Sequence, residues 1–236
     1  MNLPLNTSID IHDPVEQARY NMVEQQIRPW NVLDAGVLEL LSRVRREDFV
    51  PPSYQGLAFI DTEIPLNPDA QEAARLGQVM LAPRVDARML QDLQIQPTDR
   101  VLEIGAGSGY MAALLAARAE RVVSLEIDPE LAEMARENLR DAGVQNADVR
   151  QGDGARDAIP DGPFDVIVLS GSVAEVPSHL LALLRDGGRL GAIVGGEPVM
   201  RFTVTRRTGD RFETTSPWDT IAPRLVNFPE PSGFTF

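Results

Sequence analysis

Residues 101–110 read VLEIGAGSGY, a short apolar strand that runs into three glycines spaced by single residues and then into a helix. Little else in the chain restricts the fold as strongly. Glycines at such a strand-to-helix turn let the backbone double back and let a ligand approach the main chain closely. The helix that follows offers unpaired N–H groups and the positive end of its dipole. The segments around this turn keep the same alternation: RVVSLEI, ADVRQGD, FDVIVLS and RLGAIVG read as strands, separated by helical stretches such as the one opened by Asp128 and Pro129. Strand alternating with helix predicts a mostly parallel sheet covered by helices on both faces. RFTVTRR, the turn TGD and RFETTS then predict a closing antiparallel hairpin.

The part before residue 96 reads differently. Asp13 and Pro14 form a helix start, with Val15, Ala18, Met22 and Ile27 at helical spacing until Pro29. Asp34 caps a second helix with Val37, Leu41 and Val44 on one face, and a third follows Pro83. Residues 62–77 are polar and proline-containing and are expected to form a loop with about one helical turn. HLLALLRDGG is expected to be a helix stopped by glycine. The expectation is one domain over 1–236, with a helical cap and acceptor-side loop over 1–95 and a Rossmann-like core over 96–236.

Composition removes several chemistries. The chain has no cysteine, so disulfides, thiolate catalysis and cysteine zinc sites are out, and a reducing, cytoplasmic location is expected. Its two histidines, His12 and His179, lack ligand spacing, so no metal site is expected. A net charge of −13 repels phosphate backbones and anionic lipid, so neither nucleic acid nor membrane is an expected partner. No apolar run reaches membrane-spanning length. Nothing in the sequence sets the oligomeric state; a monomer is the working expectation.

Two acids join the glycine turn. Glu126 ends the strand after the turn, where a carboxylate faces the same crevice and can accept both hydroxyls of a ribose. Asp153, between Gly152 and Gly154, follows the next strand; a plain turn aspartate is the competing reading. The dinucleotide fingerprint G-x-G-x-x-G fails, because its third glycine falls on Tyr110. G-x-G-x-G preceded by Glu103 instead resembles the first motif of class I methyltransferases. That resemblance implies a seven-stranded, mostly parallel sheet and S-adenosyl-L-methionine as cofactor, with S-adenosyl-L-homocysteine as product. It also implies cofactor contacts by Glu103, Gly105, Gly107, Gly109, Glu126, Asp153 and Gly154, with the acid after the third strand taking the adenine amino group.

A narrower resemblance covers about residues 22–213. MVEQQIRPWNV, LSRVRREDFVPPSYQGLAFIDTEIPL, GQVMLAPRVDARML, VLEIGAGSGYMAALLA, FDVIVLSGSVAEVP and LLRDGGRLGAIVG are similar to the blocks of the protein-L-isoaspartate O-methyltransferases. The resemblance implies methyl transfer to the misplaced carboxylate of isoaspartyl residues in damaged protein. That carboxylate is already ionised at neutral pH, so alignment rather than a general base carries the reaction. Gln78, Val79, Met80, Leu81 and Pro83 are expected beside the transferred methyl group. The family's catalytic-site serine falls on Leu81, which has no hydroxyl. The catalytic residues therefore stay open. The competing functions are a methyltransferase with a different, more apolar or small-molecule acceptor, and a non-catalytic protein that binds the cofactor or its product.

Overall fold

The computed structural model describes residues 13–230; His12 lies outside them. The N-terminal part is helical. Helix α1 (Pro14–Asn21) is capped by Asp13, whose side chain accepts from the Val15 N–H. It loosens into a π-helical stretch over Met22–Ile27 and a 3₁₀ turn over Arg28–Trp30. Helix α2 (Ala35–Arg43) is capped by Asp34 through the Val37 N–H.

The 62–77 region is more ordered than its composition suggests. It holds strand β1 (Ile64–Pro65) and helix α3 (Ala70–Leu76), after which β2 (Val79–Met80) pairs antiparallel with β1. Asp69 caps α3 by accepting from Gln71 and Glu72, and Gly77 closes it in the left-handed conformation. These are ordinary start and stop signals, and the first of them sits just after Pro65 and Pro68. Helix α4 (Pro83–Leu93) follows.

The core is one seven-stranded sheet. Its strands are β3 (Arg100–Ile104), β4 (Arg121–Glu126), β5 (Ala147–Gln151), β6 (Phe164–Val173), β7 (Leu184–Gly196), β8 (Val199–Thr208) and β9 (Arg211–Asp219). They lie in the order β5-β4-β3-β6-β7-β8-β9, parallel from β5 to β7. The final hairpin is antiparallel, with β8 pairing both β7 and β9.

Helices α5 (Tyr110–Ala116) and α6 (Pro129–Asp141) link the parallel strands, and Asp128 caps α6 through the Glu130 and Leu131 N–H groups. The expected HLLALLRDGG helix shrinks to α7 (Ser178–Leu181), because Leu184 already pairs with Phe164 and begins β7. Edge-to-edge pairing overrode the local helical pattern there.

Strand residues alternate between two cores. Val101, Val122, Val149 and Val166 face the packed helices, while Leu102, Val123, Ile167 and Leu169 face the side of α7. Burial on both faces explains why these strands are nearly continuous apolar runs. Among the described residues no helix is long and apolar enough to cross a membrane.

Candidate functional site

The sheet reverses its order between β3 and β6. At such a switch point the two neighbouring loops leave in opposite directions and open a crevice beyond the carboxyl ends of the strands. A cavity of about 340 Å³ lies there. Gly105 and Gly107 after β3, Glu126 and Asp128 at the end of β4, Asp153 and Gly154 after β5, and Ser170 on β6 all line it. Gln78 and Val79 close it from the helical side, and Arg224, Leu225 and Phe228 close it from the C-terminal segment.

The glycine turn is shaped by backbone need. Gly105, Gly107 and Gly109 have φ of +91°, +53° and +84°, a region that other residues enter at a cost. They do different work. Gly105 and Gly107 face the cavity. Gly109 does not; a Cβ there would stand 3.1 Å from the Ala135 carbonyl oxygen, so its lack of a side chain lets α5 and α6 pack closely. Gly154 lets the loop pass over Ile104, which an added Cβ would meet at 2.5 Å.

Glu126 is 6% exposed, and its two oxygens accept from the Gly107 N–H at 2.9 Å and the Asp128 N–H at 3.1 Å. The carboxylate thus fixes the loop while keeping further lone pairs for a ligand. Burial pushes its pKa up, and the Gly107 and Asp128 N–H bonds oppose that. Asp153 accepts from the Ala155 N–H with one oxygen and from the Asn227 side chain with the other. Gln78 donates to Asp128 Oδ2 at 2.9 Å, which ties the helical side to the end of β4.

Other expected contacts fall elsewhere. Glu103 is fully buried on the helical face of the sheet, and its carboxyl oxygens take up the Ser124 and Ser170 hydroxyls at 2.6 and 2.8 Å. It sits beneath the loop as a support, not in the cavity wall. Met80, Leu81 and Pro83 are also buried outside the wall. The Leu81 carbonyl accepts from the Arg46 guanidinium at 2.9 Å. Sequence reasoning missed Leu66, Ser170, Arg224, Leu225 and Phe228, and it treated Asp128 as a cap alone. Only Asp128 carried a local signal, since an aspartate that ends a strand before a proline both caps the helix and faces the crevice.

Burial lifts the Glu103 pKa to about 8, although both serine hydroxyls lower it. An unfolded glutamate titrates near 4.3, so the folded state holds this proton more tightly. The stabilisation is complete below about pH 4 and is lost as pH rises through about 8. Glu103→Gln should therefore flatten part of the fall in unfolding free energy between about pH 5 and pH 9. Denaturant titrations with equal pH slopes for both proteins would contradict this assignment.

The cavity fits S-adenosyl-L-methionine on the chain's own features. The bare turn admits close backbone approach, Glu126 can take a vicinal diol, and three acids (Glu126, Asp128, Asp153) suit a ligand that carries positive charge. Among the described residues no group of three or more histidine, aspartate or glutamate side chains could hold a metal ion.

The sheet order and the crevice at its switch point define a class I methyltransferase fold. A solved protein-L-isoaspartate O-methyltransferase superposes with a TM-score of 0.74 at 23% identity, over 89% of this chain and 65% of that one. A Plasmodium falciparum protein described under the same name, in complex with S-adenosyl-L-homocysteine, gives 0.73 at 19% identity, over 87% and 96%.

At the sequence level the family model described as protein-L-isoaspartate(D-aspartate) O-methyltransferase matches residues 17–221. Proteins named protein-L-isoaspartate O-methyltransferase from Methanoculleus marisnigri and Aeropyrum pernix are 42% and 39% identical. The alignments cover 78% and 84% of this chain, and 80% and 75% of those proteins. The chain belongs to the protein-L-isoaspartate(D-aspartate) O-methyltransferase family.

Proposed function

We propose that this protein transfers a methyl group from S-adenosyl-L-methionine to the free carboxylate of isoaspartyl residues in damaged proteins. Membership of the family carries the reading, and the cavity at the β3–β6 switch point supports it. In this reading Gly105 and Gly107 receive the methionine part of the cofactor, Glu126 the ribose hydroxyls, and Asp153 with Gly154 the adenine end. Gln78 and Val79 stand on the acceptor side. Action in the cytoplasm, a monomeric state and the division of one domain into a 1–95 cap and a 96–236 core are parts of the same proposal.

When bound, S-adenosyl-L-methionine supplies a methyl carbon activated by a positively charged sulfur. The chain's residues then have positioning work to do. The acidic lining favours a cationic ligand, and Leu225, Val226 and Phe228 give it an apolar border. The acceptor carboxylate needs no base, so alignment within the cleft carries most of the rate.

Leu81 remains the departure from the family pattern. A hydrogen bond to a charged group is worth about 1.5–3 kcal/mol. Leu81 is buried beside the cleft and not in its wall, so Leu81→Ser should raise kcat/KM for an isoaspartyl peptide by about tenfold or more only where the bound peptide brings its carboxylate against residue 81, at some loss of stability. No gain would mean that the acceptor side is arranged without that hydroxyl. The direct test is transfer of labelled methyl to an isoaspartyl peptide with its aspartyl twin as control. Incorporation into the first alone supports the reading; incorporation into neither, with cofactor binding intact, ends it.

A further inference from the structure

A second and larger cavity, about 560 Å³, is lined by residues that lie close along the chain to some of those that wall the first. Ala82 lines it one residue after Leu81, while Gln78 and Val79 line the cofactor cleft. Ile221 lines it three residues before Arg224, which lines the cleft. Two stretches of chain, 78–82 and 221–224, thus contribute residues to both cavities.

Its chemistry is specific. Arg84 and Arg88 stand one turn apart on α4 and face the same way. Each guanidinium lies over an indole ring, Arg84 over Trp30 at 4.7 Å and Arg88 over Trp218 at 4.6 Å. Arg84 is neutralised by Asp61 at 2.5 Å. Arg88 is not. Among the described residues it has no hydrogen bond or ion pair, and its Nε is shut off from solvent with no acceptor.

Asp92, the nearest acid acting on Arg88, is already engaged by the Trp218 indole N–H at 2.7 Å. Glu63 also lines the cavity, but the cation it feels is Arg84. Asp219 lines it too and is paired with Arg201 at 3.0 Å; the rest of the rim includes the exposed apolar side chains Trp30, Val199 and Ile221, at 50%, 60% and 58%.

We propose that this cavity is a docking groove for the acceptor polypeptide, and that Arg88 binds an acidic side chain near the methylated residue. A partly buried guanidinium without an acceptor is costly, and a carboxylate from a ligand relieves that cost. The aromatic and aliphatic rim selects a chain with apolar side chains around the acid over a small free anion. The inference rests on the isoaspartyl reading only for what the docked chain is. Arg88 is a specificity-determining residue here and takes no part in methyl transfer.

The test exploits the position of the tryptophans. The chain has two, and both line this groove, so intrinsic fluorescence reports its occupancy without any methyl transfer. Isoaspartyl peptides with apolar flanks and one glutamate, moved through the three positions on either side, are titrated beside glutamine twins. At one or more positions the glutamate peptide should bind about tenfold tighter, as one charge-assisted bond allows. Arg88→Gln should abolish that difference, and Arg88→Lys should keep part of it. In transfer assays the same glutamate should lower KM with kcat unchanged.

Equal binding of the twins, or a difference that survives Arg88→Gln, overturns the proposal. So does a fluorescence response to acetate that equals the peptide's. Binding that depends on Arg88 without any transfer leaves the groove standing and defeats the isoaspartyl reading. Transfer without the glutamate effect does the reverse.

Discussion

Glu126→Ala should weaken S-adenosyl-L-homocysteine binding by at least about a hundredfold. The side chain is buried at the end of β4 and lines the cleft. Two hydroxyl bonds to a carboxylate are worth about 1.5–3 kcal/mol each, and every 1.4 kcal/mol is tenfold in affinity. The variant also frees the Gly107 and Asp128 N–H groups that Glu126 now accepts from, which loosens the loop. Glu126→Gln separates these effects. It keeps the shape and one carbonyl acceptor but turns an NH2 toward the second N–H, so it should lower the melting temperature less than Glu126→Ala does and still lose most of the affinity. Calorimetric titration of both variants checks this; unchanged affinity in Glu126→Ala would remove the ribose role.

Arg46→Met should cost about 3–5 kcal/mol of stability, the usual consequence of stripping one partner from a buried ion pair. Arg46 is fully buried, lies over the Tyr110 ring at 5.1 Å and reaches Asp86 at 3.5 Å. It also donates to the Leu81 carbonyl, so it holds the segment that walls both cavities. Burial raises the Asp86 pKa to about 7 and Arg46 lowers it; without Arg46 that carboxyl should stay protonated at higher pH. Arg46→Met combined with Asp86→Leu should recover part of the loss, because no buried carboxyl is left without a partner. Urea denaturation measures both, and a single variant within about 1 kcal/mol of the parent would show that the pair contributes little.

The parts of the fold that were legible in the sequence are those set by neighbours along the chain. Asp13, Asp34 and Asp128 each announced a helix and each caps one. The glycine turn and the acids after β4 and β5 were readable because strand ends in a parallel sheet open into one crevice. What was not legible depends on distant pairing. Nothing near Leu184 says that it will pair with Phe164 and cut a helix short. Nothing near Leu225 says that it will pack against Gly105 and Gly171 and roof the cleft. Glu103 is the instructive case: its place before the glycines suggested contact with the cofactor, but strand alternation turned it to the helical face beside Ser124. Helix α3 was different, since Asp69 and Gly77 gave its start and stop locally.

The chain's central property is a single crevice that gathers a bare turn after β3 and carboxylates after β4 and β5. Isothermal titration of the unaltered protein with S-adenosyl-L-homocysteine tests it most directly. One molecule bound per chain, with binding lost in Glu126→Ala, is the expected result; no heat with either this ligand or S-adenosyl-L-methionine would contradict it.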